Sequence, residues 1–132
     1  MVHRIALTLA FIWAGLIVFG QITCSSYRQY TLHDGLSQMQ VTCLFQDTRG
    51  YIWVGTKGGL NCFNGEKFVN YTSKKYPKIE NDQIVFIQED SNGKIWGSTV
   101  TGLIRIDGEE VNFFHTDTNV APCITSDHEG RM

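Results

Sequence analysis

The chain has 132 residues, of which 11 are basic and 13 are acidic, and its formal net charge is −2. Proteins that bind a phosphate backbone or an acidic membrane carry a concentrated basic surface, and this sequence has no such stripe. Its densest cationic cluster, Lys74, Lys75 and Lys78, is better explained as a solvated loop. The composition therefore argues against nucleic acid and acidic membranes as partners.

The first twenty residues have the pattern of a secretory signal peptide. His3 and Arg4 precede an uncharged apolar stretch, Ile5–Phe19, which is followed by a small residue. A membrane span needs about 20 apolar residues, so this stretch is short for one. We expect residues 1–20 to be a helical signal peptide that directs export to the periplasm. An uncleaved anchor and a lipoprotein attached at Cys24 are the alternatives.

A segment of the chain occurs twice, 43 residues apart. Residues 41–71 align with residues 84–114 without a gap and share nine identical positions. A period of this length is typical of stacked units, none of which buries its apolar faces alone. The recurring residues that we expect to be structural are Asp47, Gly50, Trp53, Gly59 and Gly65, with the counterparts Asp90, Gly93, Trp96, Gly102 and Gly108.

Each unit is predicted to contain four short strands separated by tight turns. Short apolar runs alternate with Gly, Asp and Asn, and no sustained helical stripe supports a helical solenoid. Asp47–Gly50 is the first predicted turn. Asn64-Gly65 and its counterpart Asp107-Gly108 each predict a two-residue hairpin with positive φ at both positions. The predicted strands of the first unit are Val41–Gln46, Tyr51–Thr56, Leu60–Phe63 and Glu66–Tyr71.

The predicted fold follows from strands that are apolar on both faces. In Tyr51–Val54 neither alternate set of side chains is polar, which indicates a sheet covered on both sides. Four-stranded sheets of this period are typical of propeller blades, with Trp53 and Trp96 wedged between blades. We predict an all-β chain: an incomplete β-propeller over residues 21–132, with two four-stranded antiparallel blades and the start of a third. The repeat units are about 30–71, 72–114 and 115–132.

A third copy of the repeat begins near the end of the chain. Asp127–Met132 matches Asp90–Ile95 at an offset of 37 residues. A propeller closes with roughly four to eight blades. We therefore expect the chain to be part of a longer protein. The alternative is that Met132 is a natural end and the chain is a degenerate remnant.

No residue set has the spacing of a catalytic or metal site. Gly50–Lys57 resembles a phosphate loop only superficially, because its Lys follows the Thr and the segment is a predicted strand. The four histidines share no ligand spacing. Cys43 is expected in the apolar core, because Phe86 stands at its repeat position, although one disulfide is left open. We expect no catalytic residues, no metal and no cofactor.

The first unit resembles the two-component regulator propeller repeat. The matching residues are Asp34-Gly35-Leu36-Ser37, Gln46-Asp47-x-x-Gly50-x-Ile52-Trp53-Val54-Gly55-Thr56 and Gly59-Leu60-x-x-Phe63-x-Gly65. The second unit departs from this pattern at Gly97-Ser98 and at Ile79–Asp82. The resemblance covers residue 30 onwards. It implies the N-terminal periplasmic sensor part of a hybrid sensor histidine kinase of the Bacteroidetes type, in which such repeats form seven-bladed propellers.

That resemblance implies a binding module rather than an enzyme. Such propellers detect glycans or their breakdown products, and the kinase lies in a part of the protein that this chain does not contain. The implied partners are an oligosaccharide or glycan fragment and the remaining propeller blades, and a homodimer of the full-length protein is left open. The weak candidates for ligand contact lie in the loops that precede each unit: His33, Asp34, Asn81 and Asp82.

Two alternatives stay open at this stage. One is a secreted propeller hydrolase or lyase that acts on polysaccharide. Sialidase-like propellers also repeat a hairpin with Asp, Gly and Trp, but there the Gly lies one position closer to the Asp than Gly50 lies to Asp47. This difference disfavours that class. The other alternative is an inactive truncated fragment.

Overall fold

The computed structural model describes residues 27–116. Within this range the chain forms one short 3₁₀ turn, Leu32–Asp34, and eight β-strands. The expected signal peptide at residues 1–20 and residues 117–132 of the third unit lie outside the described residues, so both stay predictions.

The eight strands form two separate sheets, each an antiparallel meander of four strands in chain order. The prediction of an all-β fold with two four-stranded antiparallel blades is therefore confirmed. Sheet 1 contains β1 Val41–Gln46, β2 Ile52–Thr56, β3 Gly59–Phe63 and β4 Phe68–Tyr71. Sheet 2 contains β5 Ile84–Glu89, β6 Ile95–Thr99, β7 Gly102–Asp107 and β8 Glu110–His115.

The first turn of each sheet is organised by an aspartate. Gly50 N donates a hydrogen bond to Asp47 O at 2.9 Å, and Tyr51 N donates to Asp47 Oδ1 at 2.9 Å. Gly93 N donates in the same way to Asp90 O at 3.0 Å. Gly50 and Gly93 have φ values of 87° and 75°, a left-handed conformation that glycine adopts without steric cost. A short polar side chain followed three residues later by glycine therefore closes both turns.

The same aspartate also binds the tryptophan of its unit. Trp53 Nε1 donates to Asp47 Oδ2 at 3.0 Å, and Trp96 Nε1 donates to Asp90 Oδ2 at 2.9 Å. A buried indole N–H needs an acceptor, and a carboxylate supplies a strong one. Each of these bonds ties a turn to the strand that follows it.

Each tryptophan stacks on the aromatic ring at the same repeat position of the last strand of its sheet. Trp53 stacks on Tyr71, and Trp96 stacks on Phe114, with ring centroids 5.7 Å apart in both pairs. Tyr71 and Phe114 are themselves 43 residues apart. The sequence repeat is therefore also a repeat in three dimensions.

The two glycines of the second turn lie against the last strand of their sheet. Gly59 has a φ of 134°, and a Cβ there would lie 2.6 Å from Thr72 Cγ2. A Cβ at Gly102 would overlap the carbonyl oxygen of Phe114. Both turns thus require a residue without a side chain, since the neighbouring chain occupies its space.

The sheets pack face to face through two different surfaces. The tryptophan face of a sheet carries its Trp and, in sheet 1, Phe45 and Cys62. The opposite, aliphatic face carries, in sheet 2, Ile87 and Ile95. The tryptophan face of sheet 1 packs against the aliphatic face of sheet 2. Their shared buried cluster contains Trp53, Leu60, Cys62, Tyr71, Ile84, Ile87, Ile95, Ile104, Ile106 and Val111.

The sheets run in the same direction along their first strands. Near the start of β1, Thr42 Oγ1 donates a hydrogen bond to Ile84 O at 2.6 Å. Just past its end, Thr48 N donates to Glu89 Oε2 at 2.8 Å. Contacts between the sheets concentrate on β1, β2 and β5. The first strands are therefore the closest part of the two sheets, as they are near the axis of a propeller.

Gly97 explains one departure of the second unit from the repeat pattern. The first unit has Val54 at this position. A Cβ at Gly97 would lie 3.4 Å from Leu60 Cδ2, and Leu60 is completely buried. The missing side chain in sheet 2 therefore makes room for a leucine of sheet 1.

The predicted φ values at the third turn are wrong. Among the described residues no residue other than glycine has positive φ, so Asn64 and Asp107 do not adopt it, whereas Gly65 and Gly108 do. In sheet 1 the loop has four residues, because Phe63 pairs with Phe68. Asn64 Oδ1 instead accepts hydrogen bonds from the two amides that follow Gly65. For this reason β4 begins two residues later than predicted.

One face of sheet 1 is open in the described part of the chain, as an incomplete propeller predicts. Leu44 on its aliphatic face is 67% exposed. Its repeat counterpart Ile87, which packs on sheet 1, is only 4% exposed. The aliphatic face of sheet 1 instead forms an apolar groove of about 400 Å³. Residues that line it include Tyr30, Leu36, Val41, Leu44 and Phe68.

Candidate functional site

The loop that leads into sheet 1 holds the first pair of candidate residues. Asp34 Oδ2 accepts hydrogen bonds from Thr31 N at 2.8 Å and from Thr31 Oγ1 at 3.0 Å. Thr31 Oγ1 in turn accepts a bond from His33 N, which completes a capping box. The bonds from Thr31 hold the pKa of Asp34 below its usual value. The Asp34 carboxylate thus forms its hydrogen bonds within its own loop, whereas the His33 ring is exposed.

The loop that leads into sheet 2 holds the second pair. Asp82 accepts hydrogen bonds from Ser73 N at 2.6 Å and from Ser73 Oγ at 2.7 Å. Asn81 Oδ1 accepts a bond from Gln83 N at 2.8 Å. Both side chains stabilise the connection between β4 and β5, and both are half-buried.

The two lead-in loops, residues 31–37 and 78–83, lie at the same end of the two sheets. This follows because β1 and β5 run in the same direction and both loops enter at their start. None of the described hydrogen bonds or ion pairs joins one loop to the other. Glu80 Oε2 of the second loop lies 2.9 Å from Nδ1 of His115 at the end of β8, and both side chains are more than half exposed. The structure therefore places the four candidates on one rim without bringing them into contact.

A cleft of about 250 Å³ opens between the sheets at the opposite rim. Arg49, Tyr51 and Asn64 of sheet 1 lie at its mouth, where the first and third turns end. Across from them stand Gly93 and Gly108 of sheet 2, which have no side chains to fill the space. The cleft is therefore bounded by polar turns, and deeper residues include Trp53, Cys62, Val69, Tyr71, Ile95 and Ile106.

An ion pair fixes the guanidinium at the mouth of this cleft. Arg49 Nη2 donates to Asp47 Oδ2 at 3.0 Å, with the carboxylate fully buried and the Arg49 side chain half exposed. Burial alone would raise the pKa of Asp47. The hydrogen bonds from Trp53, Tyr51 and Arg49 and the Arg49 charge outweigh it, so this pKa lies below its usual range. The cleft mouth therefore carries a neutralised pair at neutral pH.

The cleft contains no activated nucleophile. Burial, together with the Asp47 charge, raises the pKa of Cys62 to about 11. Burial raises the pKa of Tyr71 to about 12. Both groups stay protonated at neutral pH and are poor nucleophiles. Cys43 and Cys62 are free thiols on strands separated by β2. The expectation that Cys43 lies in the core agrees with its packing against the buried cluster.

Sequence reasoning did not identify this cleft. Arg49 and Tyr51 do not recur, since the second unit has Asn92 and Lys94 at those positions. Residues that recur in both units form the scaffold. Turn positions that differ between the two units determine which side chains each unit exposes to solvent. Comparing the turn positions that are not identical in the two units would have identified Arg49 and Tyr51.

Two further kinds of feature are absent from the described range. Within residues 27–116, no group of three or more His, Cys, Asp or Glu side chains is arranged to hold a metal ion. In the same range no helix combines the length and apolarity that crossing a membrane requires.

Three comparisons relate the chain to known proteins. Residues 35–58 match the family model of the two component regulator propeller. A histidine kinase from Formosa agariphila is 47% identical over 45 residues, which is 34% of this chain and 3% of that protein. The extracellular domain of a hybrid two component system from B. thetaiotaomicron is similar in structure, with a TM-score of 0.62 and 27% sequence identity. That match covers 78% of this chain and 15% of the solved chain.

These findings confirm the repeat that the sequence resembles. The family match spans the first turn and β1 and β2, and the structural match extends over both sheets. The chain spans only a small fraction of each relative's length.

Proposed function

Since residues 35–58 form a two-component regulator propeller repeat, we propose that this chain is part of the extracytoplasmic sensor of a hybrid two-component system. Its propeller binds a glycan-derived ligand outside the cytoplasmic membrane. A histidine kinase carried outside this chain receives the signal.

The observation that supports this proposal most strongly is the pairing of a family match with a structural match. The repeat of sheet 1 carries the family's residues, and the two sheets superpose on the extracellular domain of a hybrid two component system. Folds alone do not determine function. Here, however, the similar sequence and the similar structure both belong to two component systems.

The lead-in loops are the proposed ligand-contacting part. Loops on a rigid scaffold carry binding residues more often than the strands beneath them. His33 and Asn81 occupy the same rim, and the hydrogen bonds of Asp34 and Asp82 hold the two loops in shape. We propose that the ligand contacts His33 and Asn81 directly, whereas Asp34 and Asp82 position the loops.

A binding measurement on the purified chain tests the proposal. An oligosaccharide panel is titrated against the full chain, and binding is followed by calorimetry. We expect at least one oligosaccharide to bind, and we expect His33→Ala and Asn81→Ala each to weaken it by roughly tenfold, the effect of losing one good hydrogen bond. Glu66→Ala, an exposed change at the opposite rim, is the matched control and leaves the affinity unchanged.

Two outcomes contradict the proposal. If no oligosaccharide in the panel binds, the sensor assignment is wrong. Release of reducing ends during the titration shows turnover instead, and it favours a polysaccharide hydrolase or lyase.

A further inference from the structure

One row of the tryptophan face of sheet 2 is less well covered than its counterpart in sheet 1. The row crosses all four strands through Phe86, Ser98, Leu103 and Phe114. Its two phenylalanines are 43% and 42% exposed. Tyr71, the counterpart of Phe114, is only 9% exposed and belongs to the cluster between the sheets. Exposed aromatic rings in one row indicate that a further apolar surface packs on this face.

A segment of this chain matches the strand that covers the equivalent row of sheet 1. That strand is β5, the part of sheet 2 that lies closest to β1 and β2. The offset of 37 residues that relates Asp127–Met132 to Asp90–Ile95 also relates residues 121–126 to β5. Residues 121–126 lie outside the described part of the chain. The repeat identifies them as the first strand of a third sheet.

One contact of the existing interface changes size on both sides. Gly55 of sheet 1 faces Ile84 of sheet 2, and a Cβ on Gly55 would lie 2.8 Å from Ile84 Cγ2. The counterpart of Gly55 in sheet 2 is Ser98, and the counterpart of Ile84 in the segment is Ala121. Sheet 2 has thus gained a side chain where the segment has lost the outer carbons of an isoleucine. The smaller residue makes room for the larger one, so packing is preserved.

Ser98 also supplies a hydrogen-bond donor at this contact. In the existing interface Thr42 Oγ1 donates to Ile84 O at 2.6 Å. The counterpart of Thr42 is Val85, which has no hydroxyl. The Ser98 hydroxyl is buried and has no hydrogen-bond partner, and such a group is costly unless an acceptor reaches it. A backbone carbonyl of residues 121–126 is in the right place to be that acceptor.

The proline of the segment falls at a position that the ladder leaves unpaired. In both sheets the register shifts at the second residue of the first strand, Thr42 in β1 and Val85 in β5, and neither is paired in the register. Pro122 is the counterpart of Val85. Proline cannot donate to a ladder and is found in sheets at bulges and edges. The segment can therefore form the same bulged first strand.

The connection to the segment is short but long enough. Twelve residues separate Tyr71 from Ile84, whereas six separate Phe114 from Ala121. The chain must cross a sheet of four strands, about 14 Å, and step about 10 Å to the next sheet, a path of roughly 17 Å. Seven extended steps between Cα atoms reach roughly 23 Å. The segment therefore reaches the tryptophan face of sheet 2 with little slack.

We propose that residues 121–126 form a β-strand that packs on the tryptophan face of sheet 2, with Ala121 against Ser98. The partner of this surface is thus the chain's own next unit. The inference goes beyond the proposed function, because it concerns packing within the chain and requires no ligand.

A double-mutant cycle on the full chain, followed by urea denaturation, tests the contact. Ala121→Ile places an isoleucine against Ser98 and should lower the urea midpoint by about 1 M. Adding Ser98→Gly recreates the pairing of the first interface and should recover at least half of that loss. Ser98→Gly alone completes the cycle. Asn119→Ile adds similar bulk in the connection and is the matched control, which Ser98→Gly should not rescue.

Two results of the cycle overturn the proposal. One is an Ala121→Ile midpoint equal to that of the parent, and the other is additivity of the two substitutions. If the Ala121→Ile chain does not fold, a nuclear Overhauser cross-peak in the parent from the Ala121 methyl group to the Ser98 Hβ protons supports the contact. Absence of that cross-peak in the folded parent overturns it. The oligosaccharide titration tests the sensor assignment separately, so either proposal can fail alone.

Discussion

At the scale of single residues, the recurring aspartate of each unit forms several hydrogen bonds at once. Asp47 Oδ1 accepts two backbone amides of its turn, and Oδ2 accepts the indole of Trp53 and the guanidinium of Arg49. Asp90 repeats the amide and indole bonds. A single carboxylate therefore joins the first turn to the core.

Asp47→Asn should destabilise the chain. The substitution places an amide N–H₂ against donors, so at least one bond to Trp53 or Arg49 is lost at a buried position. We expect a loss of about 2 kcal/mol in the free energy of unfolding, measured by urea denaturation. The exposed change Glu66→Gln is the control and should have no effect. If the Asp47→Asn chain is as stable as the parent, the Asp47 carboxylate does not stabilise the contact between the first turn and the core.

The same carboxylates make stability depend on pH. The pKa of Asp90, like that of Asp47, is lowered because the Trp96 indole and two turn amides outweigh burial, which acts in the opposite direction. A carboxyl whose pKa is lower in the folded chain stabilises the fold at pH values above its unfolded pKa, about 4. That stabilisation is lost as the pH falls through the lower folded pKa. Urea midpoints should therefore fall from pH 5 towards pH 2, with a shallower slope in Asp47→Asn. An unchanged slope would contradict this assignment.

The sequence predicts this residue only in part. Asp followed by Gly three positions later predicts a turn, because the side chain can bond the amides next to it. The bond from Trp53 was not predicted, since it depends on how β2 turns its side chains relative to the turn. The joint recurrence of Asp47 and Trp53 as Asp90 and Trp96 was the available signal.

At the scale of elements, the interface between the sheets depends on a difference between the units. Leu60 of sheet 1 occupies space that Gly97 leaves open in sheet 2. The repeat alignment shows that Gly97 replaces a valine, but only the packing shows which leucine uses the space. Strand positions follow from local pattern, and β1 has the predicted bounds. The later start of β4 depends on the Asn64 side chain, which a local pattern does not specify.

Gly97→Val should disrupt this interface. It restores the residue of the first unit and places three extra carbons against Leu60, which is completely buried. Overpacking of this kind costs about 1–3 kcal/mol, measurable as a lower urea midpoint. Gly97→Ala is the graded control and should cost less, because its Cβ approaches Leu60 Cδ2 at 3.4 Å. Equal stability of the valine chain and the parent would contradict the described packing.

At the scale of the whole molecule, the two sheets are consecutive and equivalent units whose outward faces differ. The aliphatic face of sheet 1 is apolar and exposed, whereas the tryptophan face of sheet 2 is polar. The sequence pattern predicted strands that are apolar on both faces, which describes sheet 1 but not the row of Gln88, Arg105 and Asn112 in sheet 2. It did not show what covers them, because coverage depends on neighbouring units and not on the strand itself.

Two repeat-related substitutions should have opposite consequences. Leu44→Lys on the exposed aliphatic face should change the free energy of unfolding by less than about 0.5 kcal/mol and should reduce self-association of the chain. Ile87→Lys places a charge at the buried counterpart and should cost more than about 3 kcal/mol. Urea denaturation and sedimentation velocity measure the two effects. Similar losses for both variants would mean that the two aliphatic faces are buried alike.

The central claim is that sheet 1 packs its tryptophan face on the aliphatic face of sheet 2. Nuclear Overhauser spectroscopy on the methyl-labelled chain tests it most directly. We predict cross-peaks from a Leu60 δ-methyl group to the Gly97 Hα protons and from the Ile84 γ2-methyl group to the Gly55 Hα protons. Absence of both cross-peaks in a chain whose strands are folded would contradict the account.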